Sequence, residues 1–196
     1  MIMANESFSP TYYIGSFFGW GGVDGKFCRF AFILIIFKLI KGKMKEYKVL
    51  IPDETYQILN FVQDKLPGVV VVNTGLRNFE PKIVFGWHLS IIIDLEDLIE
   101  NGMPSKKERD LIYEYGELLN RNIKGDKVKP NGLFLARITW NKTRQLIWRI
   151  NDPEIANNFL QQIITENSSP RPFDYKMEQD IEWKFTEWYL TEYKSD

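Results

Sequence analysis

Apolar and polar residues alternate over 132–139 and again over 145–150, and this is the sharpest pattern in the chain. Phe134, Ala136 and Ile138 share one parity, and Leu133, Leu135, Arg137 and Thr139 the other. On the return, Leu146, Trp148 and Ile150 alternate with Gln145, Ile147 and Arg149. A period of two marks strands with one well-buried face. Opposed residues share a face, so the connection has to keep the two apolar sets together. A two-residue loop would set Leu135 opposite Trp148. A three-residue loop, Trp140-Asn141-Lys142, sets Phe134 opposite Trp148 and Ala136 opposite Leu146. The pattern therefore predicts an odd-length or bulged turn with Asn141 or Lys142 near left-handed backbone angles. The helix after the hairpin opens at Asp152-Pro153-Glu154, a capping acceptor, a residue suited to the first turn and a favourable charge. Its stripe is Ile155, Ala156, Phe159, Leu160, Ile163 and Ile164, and Asn167-Ser-Ser-Pro170 ends it.

The same reading places a short strand over Lys45–Ile51. A helix follows, opened by Pro52-Asp53, with the stripe Tyr56, Leu59, Val62 and Leu66 and a stop at Pro67-Gly68. Val69–Val72 is a strand by β-branching, 75–81 a loop, and Ile83–Leu95 strand-like. In that segment Trp87, Leu89, Ile91 and Ile93 oppose Gly86, His88, Ser90 and Ile92. Asn101-Gly102-Met103-Pro104 is a turn, and Ser105-x-x-Glu108 a capping box before the stripe Leu111, Ile112, Tyr115, Leu118 and Leu119. Residues 125–131 form a polar connector. A strand at Phe173–Glu178 and a helix from Asp180 through Leu190 complete the chain.

From Ile83 the order is strand, helix, strand, strand, helix, strand. This predicts an α+β fold of the split βαβ, ferredoxin-like kind: an antiparallel sheet with helices on one face, an N-terminal βαβ addition and a C-terminal helix. The additions either extend the sheet or cover its open face. With Phe134 and Trp148 toward the helices, that open face holds Leu133, Leu135, Arg137, Thr139, Gln145, Ile147 and Arg149. Its mixture of aliphatic and Arg side chains suits contact with another protein. A single-stranded RNA platform would need aromatics exposed on these strands.

Composition narrows the classes. The 196 residues suffice for one domain with a sizeable core. A net charge of −1 provides no basic field for nucleic acid or an anionic membrane. Residues 1–43 differ from the rest: an aromatic, glycine-rich stretch, the apolar run Phe30–Phe37, then Lys38-Leu-Ile-Lys-Gly-Lys43. The run is too short for a membrane helix, and Glu6 and the missing cleavage pattern argue against a signal peptide. Lys41-Gly42-Lys43-Met44 is what a purine-rich ribosome-binding stretch yields when read in frame, so 1–43 is expected to be an untranslated or disordered leader and 44–196 the single domain. The body from Met44 then holds 20 Lys and Arg against 24 Asp and Glu, and loses Cys28. That leaves no thiol nucleophile and makes nucleic acid a poor partner.

Chemistry-bearing patterns are sparse. A lone cysteine and the lone His88 build neither a disulfide framework nor a zinc site. Asp94, Glu96, Asp97 and Glu100 do not have EF-hand spacing and read as a solvated loop. His88 with those carboxylates is the remaining hydrolase hypothesis; a structural histidine is the simpler reading. No catalytic residue, metal or cofactor is assigned.

The segment Ile99-Glu-Asn-Gly-Met-Pro-Ser-Lys-Lys-Glu108, the Arg137-Ile-Thr hairpin, Asn151-Asp-Pro-Glu154 and Asp180-Ile-Glu-Trp183 ahead of Phe185 occur in that order. Over roughly 86–190 the chain thereby resembles the bacterial domain-of-unknown-function family 695. The resemblance implies a ferredoxin-like α+β domain whose looser relatives include regulators that inhibit a ribonuclease by direct contact; it carries over no catalytic residue. The expected function is a non-enzymatic cytoplasmic protein-binding module, a regulator or inhibitor. The expected binding residues are Leu133, Leu135, Arg137, Gln145, Ile147 and Arg149. The alternative is a single-stranded RNA binder using the 132–150 hairpin.

Overall fold

The computed structural model describes residues 49–191. The expected leader, Met44 and the first residues of the expected strand over Lys45–Ile51 lie outside them; 49–51 form no strand. The elements are β1 (Tyr56–Gln63), β2 (Leu66–Asn73), β3 (Trp87–Asp94), α1 (Lys106–Lys124), β4 (Gly132–Trp140), β5 (Thr143–Ile150), α2 (Pro153–Glu166), β6 (Phe173–Gln179) and α3 (Lys184–Thr191). Short 3-10 turns at Thr74–Leu76 and Lys82–Phe85 join β2 to β3. The strands make one sheet in the order β1-β2-β4-β5-β3-β6, with every pairing antiparallel.

The N-terminal addition is a β-hairpin, not the expected βαβ unit. Tyr56 pairs with Asn73 and Gln63 with Leu66, across a two-residue turn in which Asp64 and Lys65 both have positive φ (52° and 64°). Such turns match the twist of the strands they join. Tyr56, Leu59 and Val62 fit a helical spacing, but Tyr56, Ile58, Phe61 and Val62 are residues that suit a pleated surface, and Val69–Val72 provides a ready partner strand. Pro67-Gly68 therefore lies inside β2. The Phe61 ring covers Gly68 so closely that a Cβ there would sit 2.2 Å from its Cζ. The hairpin extends the sheet beyond β4.

The central hairpin resolves the register problem differently from the expected three-residue loop. The loop has two residues, Asn141 and Lys142, both at positive φ (44° and 64°), with Trp140 opposite Thr143. The extra residue sits within β4: a bulge between Phe134 and Ala136 restores Phe134 to its place opposite Trp148 while setting Ala136 opposite Ile147. Beyond the bulge the parity reverses. Arg137 and Thr139 turn toward the helices, and Ile138 joins Leu133 and Leu135 on the opposite face, whose cluster also takes Ala136.

Each face of the sheet has its own core. Toward the helices, Leu89, Ile91, Ile93, Leu146, Trp148 and Ile150 pack with Tyr115, Leu119 and Ile123 of α1 and Ala156, Leu160 and Ile163 of α2. On the other face Val70, Val72, Leu133, Leu135, Ala136 and Ile147 meet Leu76, Phe79, Phe85, Trp183 and Leu190. Trp148 is fully buried on the helix side and donates to Asn120 Oδ1 of α1 at 3.1 Å. The helical stripes are narrower than expected. Leu118, Ile155 and Ile164 are exposed, because Ile112, Tyr115, Leu119 and Ile123 centre α1 on the sheet and Ala156, Leu160 and Ile163 centre α2. β3 is shorter at its start than Ile83–Leu95, since Lys82–Phe85 winds into a 3-10 turn. α3 begins four residues later than Asp180, because Trp183 takes a positive φ (62°).

Candidate functional site

Three of the four motifs that carry the family resemblance lie at polar junctions; the fourth, Arg137-Ile-Thr, is part of β4. Ser105 caps α1 by accepting from the Glu108 amide at 3.2 Å. Glu108 does not return the favour as a capping box would. Its fully buried carboxylate accepts from Glu96 N and Asp97 N, and pairs bidentately with Arg171 Nε and Nη2, each at 2.8 Å. The Arg171 bonds first, and those amides after, hold the Glu108 carboxyl below the usual range against the opposing effect of burial. The Asn101–Pro104 turn, with Gly102 at φ 77°, lies against the β4–β5 tip: Lys142 N donates to Gly102 O at 3.1 Å and Leu95 N to Lys142 O at 2.8 Å.

Asn131 ties the start of α2 to the start of β4. Its side chain donates to Asp152 O and accepts from Asp152 N, at 3.0 and 2.9 Å. Asp152 in turn caps the helix by accepting from Glu154 N at 2.9 Å.

The third junction is Asp180-Ile-Glu-Trp183. Arg149, fully buried, donates through Nη1 to Asp180 Oδ2 at 2.9 Å and through Nε and Nη2 to Phe85 O at 3.3 and 3.2 Å. Its guanidinium lies 4.9 Å from the centre of the Trp183 ring, which stacks on Phe79 at 5.3 Å. Asp180 also accepts from the Lys184 and Phe185 amides, at 2.8 and 3.0 Å, and so starts α3. Burial pulls Arg149 down to about 10, with Asp180 opposing.

These junctions relocate the expected binding residues. Leu133, Leu135, Ile147 and Arg149 are buried beneath the 74–86 segment and α3, so they form no open surface. Arg137, half-buried, lies on the opposite face because of the bulge. Gln145, also half-buried, donates to Ser90 Oγ at 2.8 Å and lines a shallow recess of about 440 Å³ with His88, Ile92, Lys176 and Phe185. The His88 ring meets Phe185 edge-on at 5.6 Å, and its Nδ1 is buried without a hydrogen-bond partner. Burial first, then the charge of Arg149, lowers His88 to about 4. A ring held neutral in this way is a poor general acid. Among the described residues no cluster of three or more His, Cys, Asp or Glu is placed to hold a metal ion, and no helix is long and apolar enough to cross a membrane.

On the helix side, the described residues leave the surface over β1 and β2 uncovered. No residue of these strands enters the core under α1 and α2. Tyr56, Ile58 and Val62 stand 44%, 66% and 75% exposed there. Between this shelf and α1 runs a groove of about 180 Å³, with Tyr56, Val71 and Phe134 on the sheet side and Tyr113 and Gly116 on the helix side. Arg137 and Arg144 line it together. Arg144 is only 8% exposed; Nε donates to Thr139 Oγ1 at 3.2 Å, and no carboxylate among the described residues lies within ion-pair distance of either arginine. Burial, then the neighbouring charge of Arg137, pulls Arg144 down to about 10, with Glu108 opposing. Glu117 also lines the groove without pairing, and Glu54 is engaged by Lys124 and by Tyr56 Oη at 2.7 Å. One signal for Arg144 was present in the sequence, since it shares the parity of Leu146, Trp148 and Ile150. Ile58 and Tyr113 carried none, because the first was assigned to a helix and the second lies off the apolar stripe.

Fold and junctions together define an α+β protein built on a two-sided antiparallel sheet. Residues 57–190 match the family of unknown function DUF695, and the chain belongs to that family. No curated protein and no solved structure matches the chain.

Proposed function

We propose that this protein is a non-enzymatic cytoplasmic binding module that regulates or inhibits another protein by direct contact, and that it does so through the β1–β2 shelf and the adjoining groove. The observation carrying this reading is the exposure of Ile58 and Val62 on a sheet face whose other strands are closed over by helices. Ile58 and Val62 flank the exposed Asn60 on this strand face, and exposed apolar side chains grouped beside polar ones are a common mark of a contact site. Three of the four family motifs sit at polar junctions that hold the scaffold, whereas Arg137 of the fourth lines the groove itself. The order β4-β5-β3-β6, with two helices on one face, supports reading the body as a ferredoxin-like split βαβ unit extended by the β1–β2 hairpin. The RNA reading has less support, because Phe134 and Trp148 lie beneath the helices and Arg149 is ion-paired.

Affinity purification of the full chain from its native cells, beside an Ile58→Asp/Val62→Asp variant, tests the reading. A partner recovered in stoichiometric amount with the wild type and lost with the variant, at unchanged thermal midpoint, is expected. Recovery of the same proteins by both, or of none by the wild type, would overturn it.

A further inference from the structure

Two guanidiniums share one groove, one of them more than nine-tenths buried, and neither is in ion-pair contact with a carboxylate among the described residues, although Glu117 lines the same groove and the charge of Glu108, itself held by Arg171, reaches Arg144. A buried cation in this condition is costly unless something else neutralises it. Elsewhere in this fold the rule is kept: Arg149 has Asp180, and Arg171 has Glu108. The groove departs from it at the edge of the uncovered shelf. Guanidinium pairs are suited to carboxylates, which they bind through paired N–H donors.

The shape of the uncovered area indicates what brings the carboxylate. Two strands at roughly 4.8 Å spacing make a strip about 10 Å wide, which is the diameter of one α-helix. α1 forms one wall, and Ile58 and Val62 supply an apolar floor. Resting on the protein-binding reading above, we propose that an acidic amphipathic helix from another protein completes the helix layer here, its apolar stripe on Ile58 and Val62 and a carboxylate between Arg137 and Arg144. Two other occupants fit the charge poorly. Residues 1–43 of this chain carry five Lys and Arg against two Asp and Glu, and would add positive charge. A second copy meeting this face about a two-fold axis would bring two such arginine pairs together.

The test titrates the isotopically labelled full chain at low salt with three probes: a helical peptide with a leucine stripe flanked by glutamates, the same peptide with glutamines, and inorganic phosphate. The glutamate peptide is expected to shift the amides of Ile58, Tyr113 and Gly116, and the glutamine peptide to bind about tenfold more weakly. Arg137→Gln, at the less buried of the two positions, should weaken the glutamate peptide about tenfold and leave the glutamine peptide unchanged. Equal affinity for the two peptides would remove the carboxylate pairing while leaving the shelf as a contact surface. Saturation of these amides by phosphate with no peptide binding would make the groove a small-ion site and overturn the helical occupant. No shift with any probe would overturn the proposal outright, whereas the function proposed above stands or falls separately on loss of the cellular partner in the Ile58→Asp/Val62→Asp variant.

Discussion

Arg149 shows how one residue can look like surface and serve as an anchor. On a strand that alternates Gln145, Ile147, Arg149, a charged side chain reads as solvent-facing, and nothing nearby in sequence contradicts this. Its partner Asp180 is 31 residues away, and the Phe85 carbonyl that also holds it is 64 residues away. Such a pairing cannot be read from local pattern. Breaking it should be severe, because truncating one partner of a buried pair strands the other charge. Arg149→Met is expected to cost about 3–5 kcal/mol in urea denaturation. Adding Asp180→Asn should recover only part of this, since Asp180 also accepts from the Lys184 and Phe185 amides. A loss below about 1 kcal/mol for Arg149→Met would show that the pair does not anchor the C-terminal segment.

At the scale of elements, periodicity was a sound guide wherever one face of an element is buried and its partner is close in sequence. β4, β5, α2 and β6 occupy the segments their alternation and capping residues predict, and Trp148 faces the helices. Two failures share a cause. The β1 segment has apolar residues that satisfy helical and strand spacing alike, and the deciding factor is its pairing with β2. In β4 the parity argument correctly required one extra residue, but a strand can absorb it as a bulge at Leu135 as readily as a loop can. That displacement turned Arg137 to the other face, while the rest of the expected site was lost to the covering 74–86 segment and α3. The tight turn that results leaves Lys142 at φ 64°, a strained conformation for a residue with a Cβ. Lys142→Gly keeps both backbone bonds that Lys142 makes to Gly102 and Leu95. It should stabilise the protein by about 0.5–1 kcal/mol, read as a higher urea midpoint with an unchanged slope. A lower midpoint would mean that the Lys142 side chain contributes more than the strain it causes.

For the whole molecule, the buried ionisable groups determine how it tolerates acid, and they act in two stages. His88 has an ordinary value of 6.5 and is held at about 4 in the fold, chiefly by burial and then by Arg149. Above pH 6.5 the ring is neutral in both states and exerts no pH dependence. Between 6.5 and about 4 the unfolded chain takes up a proton that the folded chain refuses, so stability falls as pH drops; below that both states are protonated and the loss levels off. Discounted for the ring's partial exposure, the loss is on the order of 2 kcal/mol. Glu108 acts later. Arg171 holds its carboxyl below the ordinary 4.5, so its contribution is intact above that value and disappears as pH falls through the depressed one. Urea midpoints taken from pH 7.5 down to 3 should therefore decline first between 6.5 and 4, then again below about 4.5. His88→Phe removes a titrating group whose Nδ1 has no partner and sets a second ring against Phe185. It should flatten the upper decline, leave the lower one in place, and cost nothing at pH 7.5. If wild type and variant decline in parallel from 6.5 to 4, the proton taken up in that range belongs to another group, and the neutral His88 of this fold is not what makes it acid-sensitive.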